Sequence, residues 1–404
     1  MNWRNILLFF VLFFSLRCFS LIYLPSNFGF VFVKLLFIYA IIYYLLFETK
    51  FSIKRIDTPF KRIVLLFMLY PFVGIITAYF LHRQSPVSTV LTTSLFFSYF
   101  SYFLLWKYKF KESEIIKVLF VLVSVWTLIE IVEVNTSIRI FIGDMGEDAE
   151  LGERNGLVRL RVPGEEFAFI ALFYSFQKYL ESLKKVYLLI CVFFFVGIYL
   201  TLTRQFIFTA IFCILVGFFI GKKVQLKSII TLLVIGVVIF VFFYDVIFKN
   251  LFVSMGENIN DEDYIRYIAF YFFGIEYNKT NILAILFGNG LQAPGTQYHL
   301  EMVDYQDTMH LFLADVGIVG DYFNYGIIYV AIVIAFFYMV CKNRKYIDLY
   351  LILSVLQIAM TCIAIHHFTL PGKILKLTIL MYLIEISVLK HKRGERVITL
   401  LKER

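Results

Sequence analysis

Residues 186–221 read VYLLICVFFFVGIYLTLTRQFIFTAIFCILVGFFIG. Two apolar runs in this stretch, 186–202 and 204–221, are each close to the roughly 20 residues with which an α-helix crosses a bilayer. Almost no loop separates them, and Arg204 is the one charged residue of the stretch. The stretch therefore predicts a hairpin of two membrane-spanning helices with an arginine at its tip.

The rest of the chain repeats this apolar pattern. Of its 404 residues, 61% are hydrophobic, and the mean hydropathy is +0.82. A soluble protein of this size cannot bury so much apolar surface, so we predict an all-α polytopic membrane protein that forms a single membrane domain, residues 1–404. About twelve transmembrane helices are expected, at 5–24, 27–48, 61–81, 87–106, 115–134, 164–180, 186–202, 204–221, 228–248, 319–341, 347–367 and 371–389.

Short basic connections between these segments predict the orientation. If each predicted span crosses the membrane once, the connections richest in lysine all fall on one side. They are 50–62, 107–111, 178–185, 222–227, 342–345 and the tail 390–404. Because basic loops remain in the cytoplasm, this side and both termini are expected to be cytoplasmic. The net charge of +9 follows from these loops, so the expected partner is the lipid bilayer and no nucleic acid.

Two long polar loops, 135–163 and 249–318, are predicted on the outer side, where arginine replaces lysine as the main cation. Topology alone requires only positive charge, and the change of residue type indicates a geometric task. A guanidinium group presents a planar fork that binds phosphate or carboxylate oxygens two at a time. The outer arginines therefore predict an anionic substrate. Within the second loop, Tyr264, Ile268, Phe272 and Ile275 recur at helical spacing and predict a helix on the membrane surface.

Four short motifs follow one another on the predicted outer side. They are Arg154-Asn-Gly-Leu-Val-Arg159-Leu-Arg161-Val-Pro-Gly164, the pair Thr203-Arg204, Arg266 followed by Gly288-Asn289-Gly290, and His310 followed by Gly317-Ile-Val-Gly320. In this order the motifs, which fall within residues 115–341, resemble the O-antigen polymerase and O-antigen ligase superfamily of membrane glycosyltransferases. Two positions depart from the family pattern, since Thr203 stands where serine is common and Leu311 stands where asparagine follows the histidine.

The resemblance implies a GT-C-like fold in the cytoplasmic (inner) membrane of a bacterium, with the active site facing outward. It implies a polymerase of surface polysaccharide, either O-antigen of lipopolysaccharide or capsule. Such an enzyme transfers glycan from a polyprenyl-diphosphate donor, an undecaprenyl-diphosphate-linked oligosaccharide, to a sugar hydroxyl of an acceptor lipid-linked repeat unit. No cofactor, metal or nucleotide is expected, and a chain-length regulator protein is a candidate partner.

The chemistry of this transfer selects the candidate site residues. Departure of a diphosphate requires preorganised cations, and the acceptor hydroxyl requires a base. The resemblance assigns catalytic roles to Arg204, Arg266 and His310, with the arginines on the donor diphosphate and the histidine as base. Substrate-binding roles are expected for Arg154, Arg159, Arg161, Glu165, Glu166, Asp307 and Asp315. The four acidic residues are also alternative bases or partners of arginines, and Glu165 and Glu166 equally fit an ordinary helix start.

Two other functions remain open at this point. An O-antigen ligase would use similar motifs and pass the glycan to a lipid A core sugar, whereas a flippase would move the lipid-linked oligosaccharide without joining it. The pair His366-His367 is interpreted as the outer end of a span, because adjacent residues on a helix point about 100° apart. Tyr264, Tyr298 and Tyr305 are candidates for stacking on sugar faces.

Overall fold

The structure is a computed structural model that describes residues 3–15, 60–136, 152–154, 157–159, 164–220 and 262–402. Helices dominate these residues, beside one two-stranded hairpin. In chain order the elements are α1 (Trp3–Ser15), α2 (Lys61–Leu69), α3 (Gly74–His82), α4 (Pro86–Thr93), α5 (Ser101–Tyr108), α6 (Glu112–Thr136), β1 (Gly152–Arg154), β2 (Leu157–Arg159), α7 (Glu165–Ser182), α8 (Lys185–Leu200), α9 (Arg204–Ile220), α10 (Glu262–Tyr271), α11 (Ile282–Phe287), α12 (Gln297–Met309), α13 (Gly317–Asn343), α14 (Leu349–Thr361) and α15 (Pro371–Lys402).

These elements confirm the class of a helical membrane protein. Four helical stretches among the described residues are long and apolar enough to cross a bilayer: Lys61–His82, Pro86–Tyr108, Glu112–Thr136 and Gly317–Tyr346. Shorter apolar helices follow at Lys185–Leu200, Arg204–Ile220 and Leu349–Thr361. Each of these stretches coincides with a predicted span. The predicted spans 27–48 and 228–248 lie outside the described residues.

Helix α15 forms the middle of the bundle, and nearly every side chain from Ile374 to Val388 is buried. It packs against α5 and, less extensively, against α7 and α14. Buried aromatic rings from α2, α13 and the connection after α14 stack around the same core, with the Phe67 ring 5.5 Å from that of Phe368. An interior helix of this kind shields charged side chains from lipid, which lets α15 carry Lys376 and Glu385 at 1% exposure.

The two ends of the bundle differ in character. At one end, the Tyr350 N–H donates to Gln177 Oε1 (2.8 Å), and the Tyr350 hydroxyl donates to Glu112 (3.0 Å). These contacts bring the basic connections near 107–111, 178–185 and 342–345 to one end of the bundle. At the other end, Gln205 Nε2 donates to the Thr361 carbonyl (3.3 Å), and Ile318 N donates to that of Cys362 (2.7 Å). The first residues of α9 and α13 therefore meet the last residues of α14.

Helix α13 is interrupted inside its apolar length, at Gly326 (φ 75°, ψ 179°). Backbone groups that a break exposes in a membrane must find partners within the protein. Here the predicted Gly288-Asn289-Gly290 turn supplies them, because Asn289 N donates to the Phe323 carbonyl and Gly290 N to that of Asn324, both at 2.9 Å. The turn therefore caps the first half of α13, and its glycines permit the approach: a Cβ on Gly288 would lie 2.2 Å from Tyr325 N.

Residues 262–316, here called the 262–316 subdomain, form a folded unit where the sequence analysis predicted a loop. Its core contains Phe273, Tyr298 and Met302. The predicted surface helix is present as α10, which continues into a π-helical turn at Phe272–Glu276. The suggestion that Tyr298 stacks on a sugar is wrong, because its ring is 2% exposed and stacks on His82 with ring centres 3.8 Å apart.

Gln84 fastens the 262–316 subdomain to the membrane helices. Its side-chain amide donates to Thr89 Oγ1 and to the Leu291 carbonyl, both at 2.8 Å. Its carbonyl oxygen accepts from Ala293 N (2.9 Å) and from Thr296 Oγ1 (3.0 Å). The Gln84 side chain that makes these four bonds is 2% exposed. Its polar atoms are therefore fully used in attaching the subdomain to the membrane helices.

Candidate functional site

Arg204 is the first residue of α9 and is half-buried. The preceding turn is tight: Leu202 has φ 49°, and Thr201 Oγ1 accepts from Thr203 N at 3.3 Å. The turn reverses the chain between α8 and α9, as the sequence predicts, and Gln205 then attaches α9 to the end of α14 through the Thr361 carbonyl. The arginine is thus held at the end of the bundle where several helices begin.

Next to this turn, a line of hydrogen bonds runs through the protein interior. Lys376 Nζ donates to Gln357 Oε1 (2.6 Å), and Gln357 Nε2 donates to Thr361 Oγ1 (3.1 Å). Thr361 Oγ1 also lies 2.6 Å from His367 Nε2. Each of these side chains is at most 3% exposed, so the line connects an ammonium group to an imidazole without contact with solvent.

Carboxyl groups from α7 lie near the amine of Lys376. Glu165 and Glu166 open α7, and both act electrostatically on Lys376, as does the ammonium group of Lys373. Lys376 Nζ also lies 5.4 Å from the centre of the Phe169 ring. A lysine inside a membrane protein is costly unless it is paired, and such residues commonly mark functional sites.

A second buried pair adjoins the first. His366 Nδ1 lies 2.6 Å from Asp321 Oδ1, and His366 Nε2 lies 3.0 Å from the Leu313 carbonyl. Gly320 makes room for this ring, since a Cβ there would meet His366 Cε1 at 2.4 Å. The Gly317-Ile-Val-Gly320 motif therefore serves the close approach of α13 to the connection 362–370.

We call these groups together the polar centre. It comprises side chains of α7, α9, α13, α14, α15 and the connection after α14: Glu165, Glu166, Arg204, Gln205, Asp321, Gln357, Thr361, His366, His367, Lys373 and Lys376.

The structure divides the predicted site residues into two groups. Glu165, Glu166 and Arg204 belong to the polar centre. Another group lies on the 262–316 subdomain, where all members are exposed: Arg266, Asp307, His310 and Asp315. Arg154 and Arg159 lie in the antiparallel hairpin, in which Gly152 pairs with Arg159 and Arg154 with Leu157. Arg161 lies outside the described residues.

His310 ends α12 in a left-handed conformation (φ 55°). Three residues later, the Leu313 carbonyl contacts His366, so the segment that carries His310 borders the polar centre. The nearby Glu301 accepts a hydrogen bond from the Tyr277 hydroxyl (3.1 Å), and burial together with this carboxylate raises the pKa of Tyr277. The role of His310 as a base stays a prediction.

Eight of the eleven residues of the polar centre were not among the predicted site residues. His366 and His367 were interpreted as a helix end, but α14 ends at Thr361 and the two rings occupy a turn, each with partners of its own. The signal was present: Gln357 and Thr361 lie four residues apart in an apolar span, with a lysine in the next one. Among the described residues, no group of three or more His, Cys, Asp or Glu side chains is placed to hold a metal ion.

Comparisons of the chain with protein-family models, with curated proteins and with solved structures gave no significant match.

Proposed function

We propose that this protein is a membrane glycosyltransferase, a polymerase of bacterial surface polysaccharide. It moves glycan from a polyprenyl-diphosphate donor to a sugar hydroxyl of a lipid-linked repeat unit. The observation that carries the proposal is the position of Arg204. This arginine lies half-buried at the start of α9, beside a centre that contains two lysines and three carboxyl groups, of which Lys376, Glu166 and Asp321 are buried.

The donor diphosphate is the ligand for which this end of the bundle is best suited. Helices α9 and α15 both begin here, and a helix start carries a partial positive charge. Arg204 adds a fork of donors at the edge of the apolar region, where a lipid-linked diphosphate resides. Charge stabilisation of this kind accelerates loss of a diphosphate leaving group.

The acceptor hydroxyl needs a base close to the donor. Exposed His310 is the candidate from the resemblance, with Glu165 and Glu166 as alternatives in the polar centre. We favour a base within the polar centre, because Arg204 belongs to it and proton transfer requires hydrogen-bond reach between base and hydroxyl. Arg266, together with the hairpin arginines, is proposed to approach the donor from the outer loops.

We also propose the number of spans, the fold type and the orientation that the resemblance implies. About twelve spans, a GT-C-like arrangement and cytoplasmic termini would place the polar centre near the outer surface of the cytoplasmic membrane. A chain-length regulator is proposed as a partner. The separation between the lysine-rich end of the bundle and the end that carries Arg204 supports this orientation.

Surface-glycan electrophoresis of a deletion strain tests the function. We expect loss of the long-chain ladder with one repeat remaining on the core, and restoration by the wild-type protein. Arg204→Ala should fail to restore the ladder, whereas Arg344→Ala, a matched control at an exposed site on the opposite end, should restore it. Loss of every repeat from the core, with lipid-linked polymer persisting, would indicate a ligase. Repeats retained in the cytoplasm would indicate a flippase.

A further inference from the structure

The neighbouring residues His366 and His367 have different kinds of hydrogen-bond partners, which require different protonation states of the two rings. Both rings are buried, at 9% and 3% exposure, and both lie in the connection between α14 and α15. A neutral imidazole has one N–H donor and one nitrogen acceptor, and the partners of each nitrogen decide which is which. For both histidines the partners are specific enough to fix the protonation of the ring.

His366 has an acceptor at each nitrogen. Asp321 Oδ1 lies at Nδ1, and the Leu313 carbonyl lies at Nε2. A carbonyl oxygen and an ionised carboxylate accept hydrogen bonds and cannot donate them. Both ring nitrogens must therefore donate, which makes His366 an imidazolium cation paired with Asp321. Thr369 Oγ1 donates to the same carboxylate oxygen at 3.0 Å. His366 has no free lone pair and cannot act as a base in this arrangement.

The donors around His367 lead to the opposite state. Lys376 Nζ donates to the side-chain oxygen of Gln357, and the NH₂ of the same amide donates to Thr361 Oγ1. Thr361 has a single hydroxyl hydrogen, which it donates to the main-chain carbonyl oxygen of Gln357, 2.8 Å away. Thr361 then has no hydrogen left for His367. In the remaining contact, His367 Nε2 therefore carries the hydrogen and donates it to Thr361 Oγ1.

This assignment leaves Nδ1 of His367 as an acceptor. Among the described residues this buried atom has no hydrogen-bond partner. Burial of the ring is the largest effect that opposes a second proton, and the positive charges of Lys376, Lys373 and His366 add to it. Glu165 and Glu166 of α7, Arg204 of α9 and Asp321 of α13 are the other charged groups of the polar centre. His367 is thus a neutral imidazole with one free, basic nitrogen.

We propose that Nδ1 of His367 is the proton acceptor for the sugar hydroxyl, and that Lys376 is a positioning residue that sets its tautomer through Gln357 and Thr361. The inference rests on the proposed glycosyl transfer. The hydroxyl oxygen bonds to the anomeric carbon of the donor sugar, and the bond from that carbon to the diphosphate oxygen breaks. The electron pair leaves with the diphosphate, and the hydroxyl proton moves to Nδ1. Since His367 is buried, the acceptor must enter the polar centre to reach it.

The tautomer can be tested without any assay of activity. In full-length protein labelled with ¹⁵N-histidine, His367→Gln identifies the resonances of His367 by their loss. We expect one protonated nitrogen, Nε2, and one unprotonated nitrogen, Nδ1. Lys376→Met should replace this pattern with a mixture of tautomers, because the Gln357 amide is then free to turn. A wild-type ring protonated at Nδ1, or at both nitrogens, would overturn the inference whatever the function of the protein.

The catalytic role is tested by polymerisation with purified protein and a lipid-diphosphate-linked repeat. His367→Gln keeps an amide donor near the Nε2 position for Thr361 but removes the base. General-base catalysis typically contributes 100-fold or more, so we expect a rate loss of at least about 100-fold with the protein still folded. His367→Asn, which loses the Thr361 bond as well, should be no more active. His299→Gln on the 262–316 subdomain is the matched control and should keep wild-type activity.

A pH profile separates the base from a purely structural residue. In the wild-type protein, activity should fall at low pH as His367 becomes protonated, and His367→Gln should lack this limb in its residual activity. His367→Gln with wild-type rate and pH profile would overturn the inference, while loss of activity in Arg204→Ala would still support the transfer. Failure of the wild-type protein to form glycosidic bonds would instead overturn the proposed function. The tautomer of His367 would still be decided by the ¹⁵N spectra.

Discussion

Substitution of Gly288 by alanine tests how the interrupted helix α13 is capped. The added Cβ would lie 2.2 Å from Tyr325 N and 2.3 Å from the carbonyl carbon and oxygen of Asn324. These atoms belong to the backbone of α13 and cannot rotate away, so the turn must withdraw. Withdrawal would break the bonds from Asn289 N and Gly290 N, at about 0.5–1.5 kcal/mol each. A further ~1–3 kcal/mol follows from φ 79° and ψ 178°, a backbone region that residues with a side chain rarely occupy.

The expected loss of unfolding free energy is therefore about 2–6 kcal/mol. Gly295 provides a matched control, because it has the same φ of 79° but nothing within 4 Å of an added Cβ. Gly295→Ala, which makes no close contact, should cost only its own backbone component, about 1–3 kcal/mol. Denaturant unfolding of the two purified variants in one detergent measures the difference. Equal losses in the two variants would refute the capping role of the turn.

Three further outcomes follow from the same contacts. Gln84→Ala should destabilise the protein by about 2–4 kcal/mol, because buried partners on both sides of the subdomain junction lose their bonds; denaturant unfolding measures this loss, and a value under about 0.5 kcal/mol would contradict it. Tyr70→Phe should cost about 0.5–1.5 kcal/mol by removing the hydroxyl donor to the Tyr325 carbonyl at the helix break, again by unfolding, and an unchanged stability would show that the bond contributes nothing. Asp321→Asn should convert His366 from a cation to a neutral ring, visible as loss of one ring N–H in ¹⁵N spectra; a ring that stays doubly protonated would contradict the pairing.

The sequence predicted the helices well, because a membrane span is a local property of length and apolarity. The predicted span 61–81 is observed as the stretch Lys61–His82, and 115–134 lies within Glu112–Thr136. The break at Gly326 was not predicted. It depends on the Gly288-Asn289-Gly290 turn, which lies far along the chain from Gly326 and was interpreted only as a family motif.

The candidate site was predicted only in part, because some of its residues stand out in the sequence and others are connected only by packing between helices. Arg204 was identified because a lone charge between two apolar runs is visible in the sequence. Lys376 and His367 were passed over because each alone is compatible with a span end, and their connection through Gln357 exists only once α14 and α15 pack together. His366 and His367 lie beyond the end of α14 and not on a helix, and each ring has a different partner.

The most direct test of the proposed glycosyl transfer uses the purified protein in liposomes with an undecaprenyl-diphosphate-linked repeat unit. The measurement is the amount of undecaprenyl diphosphate released and the number of repeats joined. We predict equal molar amounts of both with the wild-type protein and with Arg344→Ala, and neither with Arg204→Ala. Movement of the repeat across the bilayer without release of diphosphate, or full activity in Arg204→Ala, would contradict the account.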